Sequence, residues 1–135
     1  MKRKLVALSI NCVLVLCIFT AGAQEDPATL HLSLMQLIVN PNQYDNHRVI
    51  VEGFLTLDYE NSALYLHADD ASHYITKNAV WVSGSPDMKN RRYEINHHYV
   101  QIEGVFKASD TGHLGPYNGT VSQIKRIDLS PEHKW

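Results

Sequence analysis

A mainly β chain that closes into a small five-stranded barrel is what this sequence predicts, on three observations. First, residues 47–57 read His-Arg-Val-Ile-Val-Glu-Gly-Phe-Leu-Thr-Leu, in which Val49, Val51, Gly53, Leu55 and Leu57 alternate with Arg48, Glu52 and Thr56. That is period two, with one face apolar and the other largely wet. Second, residues 98–106 echo this segment, with His98, Val100, Ile102, Glu103 and Gly104 standing where His47, Val49, Val51, Glu52 and Gly53 stand. Third, the first strand would span about 36 Å at ~3.3 Å per residue, longer than a small barrel accepts without bending. Gly53 and Gly104 fall where the bend is needed, since a residue without Cβ tolerates a sharp coil and a close second backbone.

The chain has 135 residues, room for one domain, and its first stretch is set apart. Lys2, Arg3 and Lys4 precede an apolar run over residues 5–19, and Ala21-Gly22-Ala23 has the small-residue pattern of a secretory cleavage site. A signal peptide over residues 1–23 is therefore expected, with cleavage before Gln24 and a periplasmic or secreted product. Membrane contact would come only through this segment if it stays uncleaved. Both cysteines, Cys12 and Cys17, lie within it, so the mature part holds no disulfide and must be stabilised by packing. Without Lys2, Arg3 and Lys4, 9 basic residues face 14 acidic ones, a net charge near -5. That balance speaks against nucleic acid as a partner, which requires a basic stripe.

Residues 24–32 read as a polar linker. Ser33 with Gln36 three residues on is a capping-box signal, and the spacing of Leu34, Leu37 and Ile38 predicts a short helix ended by Asn40-Pro41. This helix is expected to plug one end of the barrel. The long strand of residues 47–57 follows, then a polar turn and a second strand at residues 63–67. Residues 68–78 are polar and predict an irregular excursion. Residues 79–83, Ala-Val-Trp-Val-Ser, predict the third strand. Ser85-Pro86-Asp87 supplies an N-cap, a proline at the first helical position and a first-turn carboxylate, hence a short helix from Met88. The fourth strand covers residues 99–108 and a long loop of turn formers covers residues 109–119. The last strand covers residues 120–129, where Val121, Ile124, Ile127 and Leu129 change spacing from three to two, implying a bulge. Residues 33–129 form the domain and residues 130–135 a short tail.

Three strands, a connecting helix and two further strands, with glycine kinks in the first and fourth, is the element order of an OB-fold; an SH3-like barrel is the alternative. Ser33-Leu34, Asn40-Pro41, Tyr44-Asp45, Val49-x-Val51-x-Gly53-Phe54-Leu55, Leu64-Tyr65-Leu66-His67, Val100-x-Ile102-Glu103-Gly104-x-Phe106 and Gly112-His113-Leu114-Gly115 carry a resemblance. The chain resembles small exported bacterial proteins with an OB-fold-like domain, and more distantly OB-folds of the tRNA-anticodon-binding-like type. The resemblance spans residues 33–129 and implies a fold; it implies no activity.

An OB barrel presents strands two and three and the flanking loops to its ligand. If Leu64, Leu66, Val80 and Val82 point inward, Tyr65, His67 and Trp81 face outward, with His113 and Tyr117 of the long loop able to close over them. Flat aromatic and imidazole rings suit a peptide, a sugar or a partner's anchor residue. The competing reading makes Trp81 core and Tyr65 a cross-strand partner. His67, Asp69, Asp70 and His73 offer zinc-compatible donors within seven residues, without a fixed motif. Glu52 and Glu103 are either an acid and base pair or surface charges beside Arg48 and Lys107. No mature cysteine, Gly-x-Ser-x-Gly elbow or phosphate-cradling loop appears. The expectation is a non-enzymatic exported binding module, without cofactor, that recognises a protein, peptide or glycan. Its alternatives are an immunity or inhibitor protein masking a basic partner and a metal-dependent hydrolase.

Overall fold

The computed structural model describes residues 28–131. The expected signal segment and residues 132–135 lie outside the described residues. Six strands form one mixed sheet: β1 (Leu30–His31), β2 (Arg48–Asp58), β3 (Asn61–Tyr65), β4 (Ala79–Val82), β5 (His98–Lys107) and β6 (Thr120–Leu129). Four short helices are interspersed, α1 (Leu34–Val39), α2 (Ala68–Ser72), α3 (Pro86–Asn90) and α4 (Arg92–Ile95). β2 pairs antiparallel with β3, β3 with β4, β5 with β6 and β2 with β5, while β4 runs parallel to β6. These pairings link five strands into a ring, β2–β3–β4–β6–β5 and back to β2.

The apolar face of β2 is realised as expected: Val49, Val51, Leu55 and Leu57 are buried in one core cluster with Leu64, Val80, Val82, Val100, Ile102, Phe106, Val121 and Ile127. The other face is not wet as expected, since Ile50 and Thr56 on it are buried too. The two glycines work through close approach. A Cβ on Gly53 would lie 2.7 Å from Tyr65 O and 2.8 Å from Leu64 Cγ, and one on Gly104 would lie 2.7 Å from both Ser122 O and Val121 Cγ1. The echoed segments run antiparallel, so Val49 faces Gly104 and Gly53 faces Val100. The expected bulge is in β6. Glu103 faces Arg126 and Val105 faces Ser122, which leaves residues 123–125 of β6 opposite the single Gly104, with Gln123 at φ 47°. The bulged strand folds over the one position that carries no side chain.

α1 begins as the sequence indicates. Gln36 N–H donates to Ser33 Oγ at 3.3 Å and Ser33 N–H to Gln36 Oε1 at 2.8 Å, a capping box that satisfies two otherwise orphaned donors. Its Leu34 and Leu37 enter the core. The segment between β4 and β5 holds two short helices where one was expected. Ser85 caps α3, and Met88 and Ile95 are both buried. Arg91 between them pairs with Asp87 and Glu94 and donates to Ile127 O at 2.7 Å, tying the helices to β6.

Three expectations are corrected. The linker assigned to residues 24–32 contains β1, which pairs parallel with β2 through Leu30 and His31, so packing starts before Ser33. Residues 68–78 are not irregular throughout: they hold α2 and a 3-10 turn over Thr76–Asn78. Leu129, the last residue of β6, is 43% exposed although it follows the buried Ile127 by two positions. Among the described residues no helix is long and apolar enough to cross a membrane.

Candidate functional site

The outer face of β2, β3 and β4 carries a second, smaller cluster of buried residues: Ala63, Tyr65, Ala71, Ala79 and Tyr117, with Phe54 and Trp81 packed against it. The loop between β5 and β6 folds down onto this face. Tyr117 lies 5.3 Å from the Trp81 ring and His113 lies 6.4 Å from it, while His113 Nε2 is 3.8 Å from Glu60 Oε1 at the β2–β3 turn. Four of the five expected ligand residues, Tyr65, Trp81, His113 and Tyr117, are therefore gathered on one face. Their roles differ from expectation. Tyr65 faces outward but is wholly covered, because Tyr117 and Ala71 of α2 lie over it. His67 is exposed at the start of α2, where its side chain makes no cap.

Tyr65 and Tyr117 share one acceptor. Their hydroxyls donate to Asn61 Oδ1 at 2.8 and 3.1 Å, and Asn61 O in turn accepts from Thr56 Oγ1 at 2.9 Å. Burial, then the neighbouring Tyr117, pushes the Tyr65 hydroxyl well above its ordinary value; burial likewise raises Tyr117, offset in part by the adjacent Tyr65 hydroxyl. Both stay neutral donors, which lets one amide oxygen anchor loop and sheet together.

Beside this anchor a groove of about 510 Å³ opens on the outer face of β2 and β3. Its floor is Thr56 and Asn61. Phe54 and His97 form one wall with Asp58, and Ala68, Ala71 and Tyr74 form the other. Each wall has an identifiable support. Ala68 N–H donates to Tyr99 Oη at 3.3 Å, and Asn78 Nδ2 donates to Asp70 Oδ1 at 2.9 Å, so α2 is held at its first residue and at its middle. Across the groove, His97 N–H donates to Leu55 O and His97 Nε2 lies 3.0 Å from Asp58 Oδ2, while Asn96 Oδ1 accepts from Leu57 N–H at 2.7 Å. Sequence reasoning missed this groove. The available signal was Phe54, a large apolar residue in the wet phase of the β2 alternation.

Asp58 is the charged centre of the groove. Burial pushes its carboxyl up, but the hydrogen bonds from His97 and Asn96, with the charges of His97 and Arg92, outweigh that and hold it below its ordinary value. A depressed carboxyl favours the folded state above the unfolded value of ~3.9, and that contribution is lost as pH falls through the lower folded value. Asp58→Asn is expected to be modestly less stable than wild type at pH 6 in urea unfolding, with the gap closing below about pH 4. A gap that persists unchanged at pH 3 would contradict this assignment.

The expected metal ligands do not form a site. α2 sends Asp70 inward to Asn78, and His73 Nδ1 is bound to Asp69 O at 2.8 Å and Ser72 Oγ at 2.9 Å. Among the described residues no group of three or more His, Cys, Asp and Glu side chains is placed to hold a metal ion. Nor do Glu52 and Glu103 sit side by side. Antiparallel pairing puts Glu52 opposite Gln101 and Glu103 opposite Ile50, and Glu103 pairs with Lys125 at 3.2 Å and Arg126 at 3.8 Å rather than with Arg48 or Lys107. Comparison with protein-family models, with curated proteins and with solved structures found no match.

Proposed function

We propose that this chain is an exported, non-enzymatic binding module built on an OB-fold-like barrel, and that it grips an extended peptide segment of a partner protein in the groove between α2 and His97. The fold reading is supported by strand connectivity: β2 to β6 pair in the order of an OB barrel, including its parallel seam between the third and fifth ring strands. The observation that carries the function is the lining of the groove. It combines aromatic walls, Phe54, Tyr74 and His97, with a polar floor and the carboxylates of Asp58 and Asp69, and it contains no Lys or Arg. Such a surface stacks planar or aliphatic side chains and attracts a basic one, which favours a Lys- or Arg-bearing peptide over a neutral glycan.

A non-catalytic role is supported by the state of Ser72, whose aliphatic hydroxyl shares the groove with the Asp58–His97 pair. Ser72 Oγ donates to Asp69 O at 2.9 Å and lies against His73 Nδ1, so this hydroxyl is engaged by its own helix and not by His97. The groove ends at the β2–β3 turn, where Tyr59 is 91% exposed; a bound segment emerging there would meet an aromatic ring.

Titration of the full chain with a panel of short basic, acidic and neutral peptides, followed by amide shifts in NMR, tests this reading. The expected outcome is saturable binding of basic peptides with shifts at Phe54, Asp58 and Tyr74, weakened at least about tenfold by Tyr74→Ala. Preference for acidic peptides, or for oligosaccharides run in parallel, would contradict it.

A further inference from the structure

A second cavity, of about 430 Å³, opens where the Leu57–Ser62 pair of the β2–β3 hairpin faces α3 and α4. Its lining is Leu57, Ser62, Gly84, Met88, Lys89 and Arg92. Leu57 and Met88 belong to the main core cluster, so the floor of the cavity is apolar. Gly84 lies on the exposed edge of the cavity, where a Cβ would meet no atom within 4 Å and a larger side chain is accommodated without a clash. Ser62 Oγ is already donated to Val82 O at 2.8 Å and offers little to a polar ligand.

The charged groups of the lining are both cationic. Arg91, next in sequence to Arg92, is fully engaged by Asp87, Glu94 and Ile127 O. Arg92 reaches only Asp58, at 4.0 Å, and Lys89 enters none of the ion pairs among the described residues. An apolar floor, unfilled volume and two under-used cations at the rim are the complement of a molecule with an apolar tail and an anionic head.

We propose that this cavity is a binding site for a medium-chain carboxylate. The chain lies over Leu57, Met88 and Gly84, and the carboxylate meets the Arg92 guanidinium and the Lys89 ammonium. A guanidinium offers a carboxylate two parallel donors, and a pocket of this size matches those that bury small ligands. The cavity shares no lining residue with the peptide groove, which it adjoins through the Arg92–Asp58 pair, and the proposal does not rest on the peptide reading.

The test is calorimetric titration of the full chain with hexanoate, octanoate and decanoate below their micellar concentrations. Saturable binding at one site is expected, with affinity rising as the chain lengthens by up to about fourfold per added methylene. Decylammonium, with the same tail and opposite head, is expected to bind at least about tenfold more weakly. Gly84→Phe fills the cavity and is expected to abolish decanoate binding. Lys89→Glu, at an exposed position, is expected to weaken it at least about tenfold without disturbing the far-ultraviolet circular dichroism. Absence of saturable decanoate binding, equal binding of decylammonium, or decanoate affinity unchanged in Lys89→Glu would each overturn the proposal.

Discussion

Alanine at Gly104 is expected to lower the unfolding free energy by about 2–4 kcal/mol, an overpacking cost at the high end of the usual range. The added Cβ would stand 2.7 Å from the carbonyl oxygen of Ser122 and 2.7 Å from Val121 Cγ1, with Ile124 Cδ1 at 3.1 Å. A side-chain methyl can rotate away. The backbone oxygen cannot move without unpicking the β6 bulge that places Ser122 opposite Val105. An unconstrained strand glycine would instead gain roughly 0.5–1 kcal/mol from the same change, so the sign of the effect is informative. Gly84→Ala, with open space around it, serves as the control and is expected to be close to neutral. Urea unfolding of the two variants checks both; equal stabilities would show that β6 does not cross over β5 at Gly104.

Asn61→Ala is expected to cost about 2–4 kcal/mol, because it removes the shared acceptor of two buried hydroxyls. Tyr65 is fully buried and Tyr117 is 7% exposed, so neither hydroxyl has water to turn to. Replacing both tyrosines by phenylalanine in the Asn61→Ala background should recover part of the loss, since an apolar cluster without stranded donors is cheaper than a broken polar one. The strong non-additivity expected among the three sites, read from a mutant cycle, is what identifies them as one network. Independent, additive effects would mean that the loop is not anchored through Asn61.

Much of the frame was legible because it follows from local rules. The β2 alternation, the Ser33–Gln36 box, the Ser85-Pro86 helix start and the bulge in β6 each rest on residues within a few positions of one another. The outward phase of Tyr65 and Trp81 was legible for the same reason. That Tyr65 is covered was not, because its cover comes from Ala71 and Tyr117, six and more than fifty residues away along the chain. α2 escaped notice because Ala-Asp-Asp-Ala-Ser has no apolar stripe; tertiary contacts through Tyr99 and Asn78 hold it, rather than propensity. The groove escaped for a related reason: its two walls, at Ala68–Tyr74 and at His97, are distant in sequence and share no motif.

Closure of the ring depends on its thinnest seam, the parallel contact of β4 with β6, where Trp81 pairs with Thr120 and Val82 with Val121. There Trp81 N–H donates to Gly119 O at 2.8 Å and Ser83 N–H donates to Val121 O at 2.9 Å. Amide hydrogen exchange at these two positions is the most direct measurement of whether five strands form one continuous circuit. Exchange as slow as that of Val51 and Ile102 in the middle of the sheet is the predicted result. Exchange within seconds at Trp81 and Ser83, with the rest of the sheet protected, would show an open sheet and contradict closure of the ring.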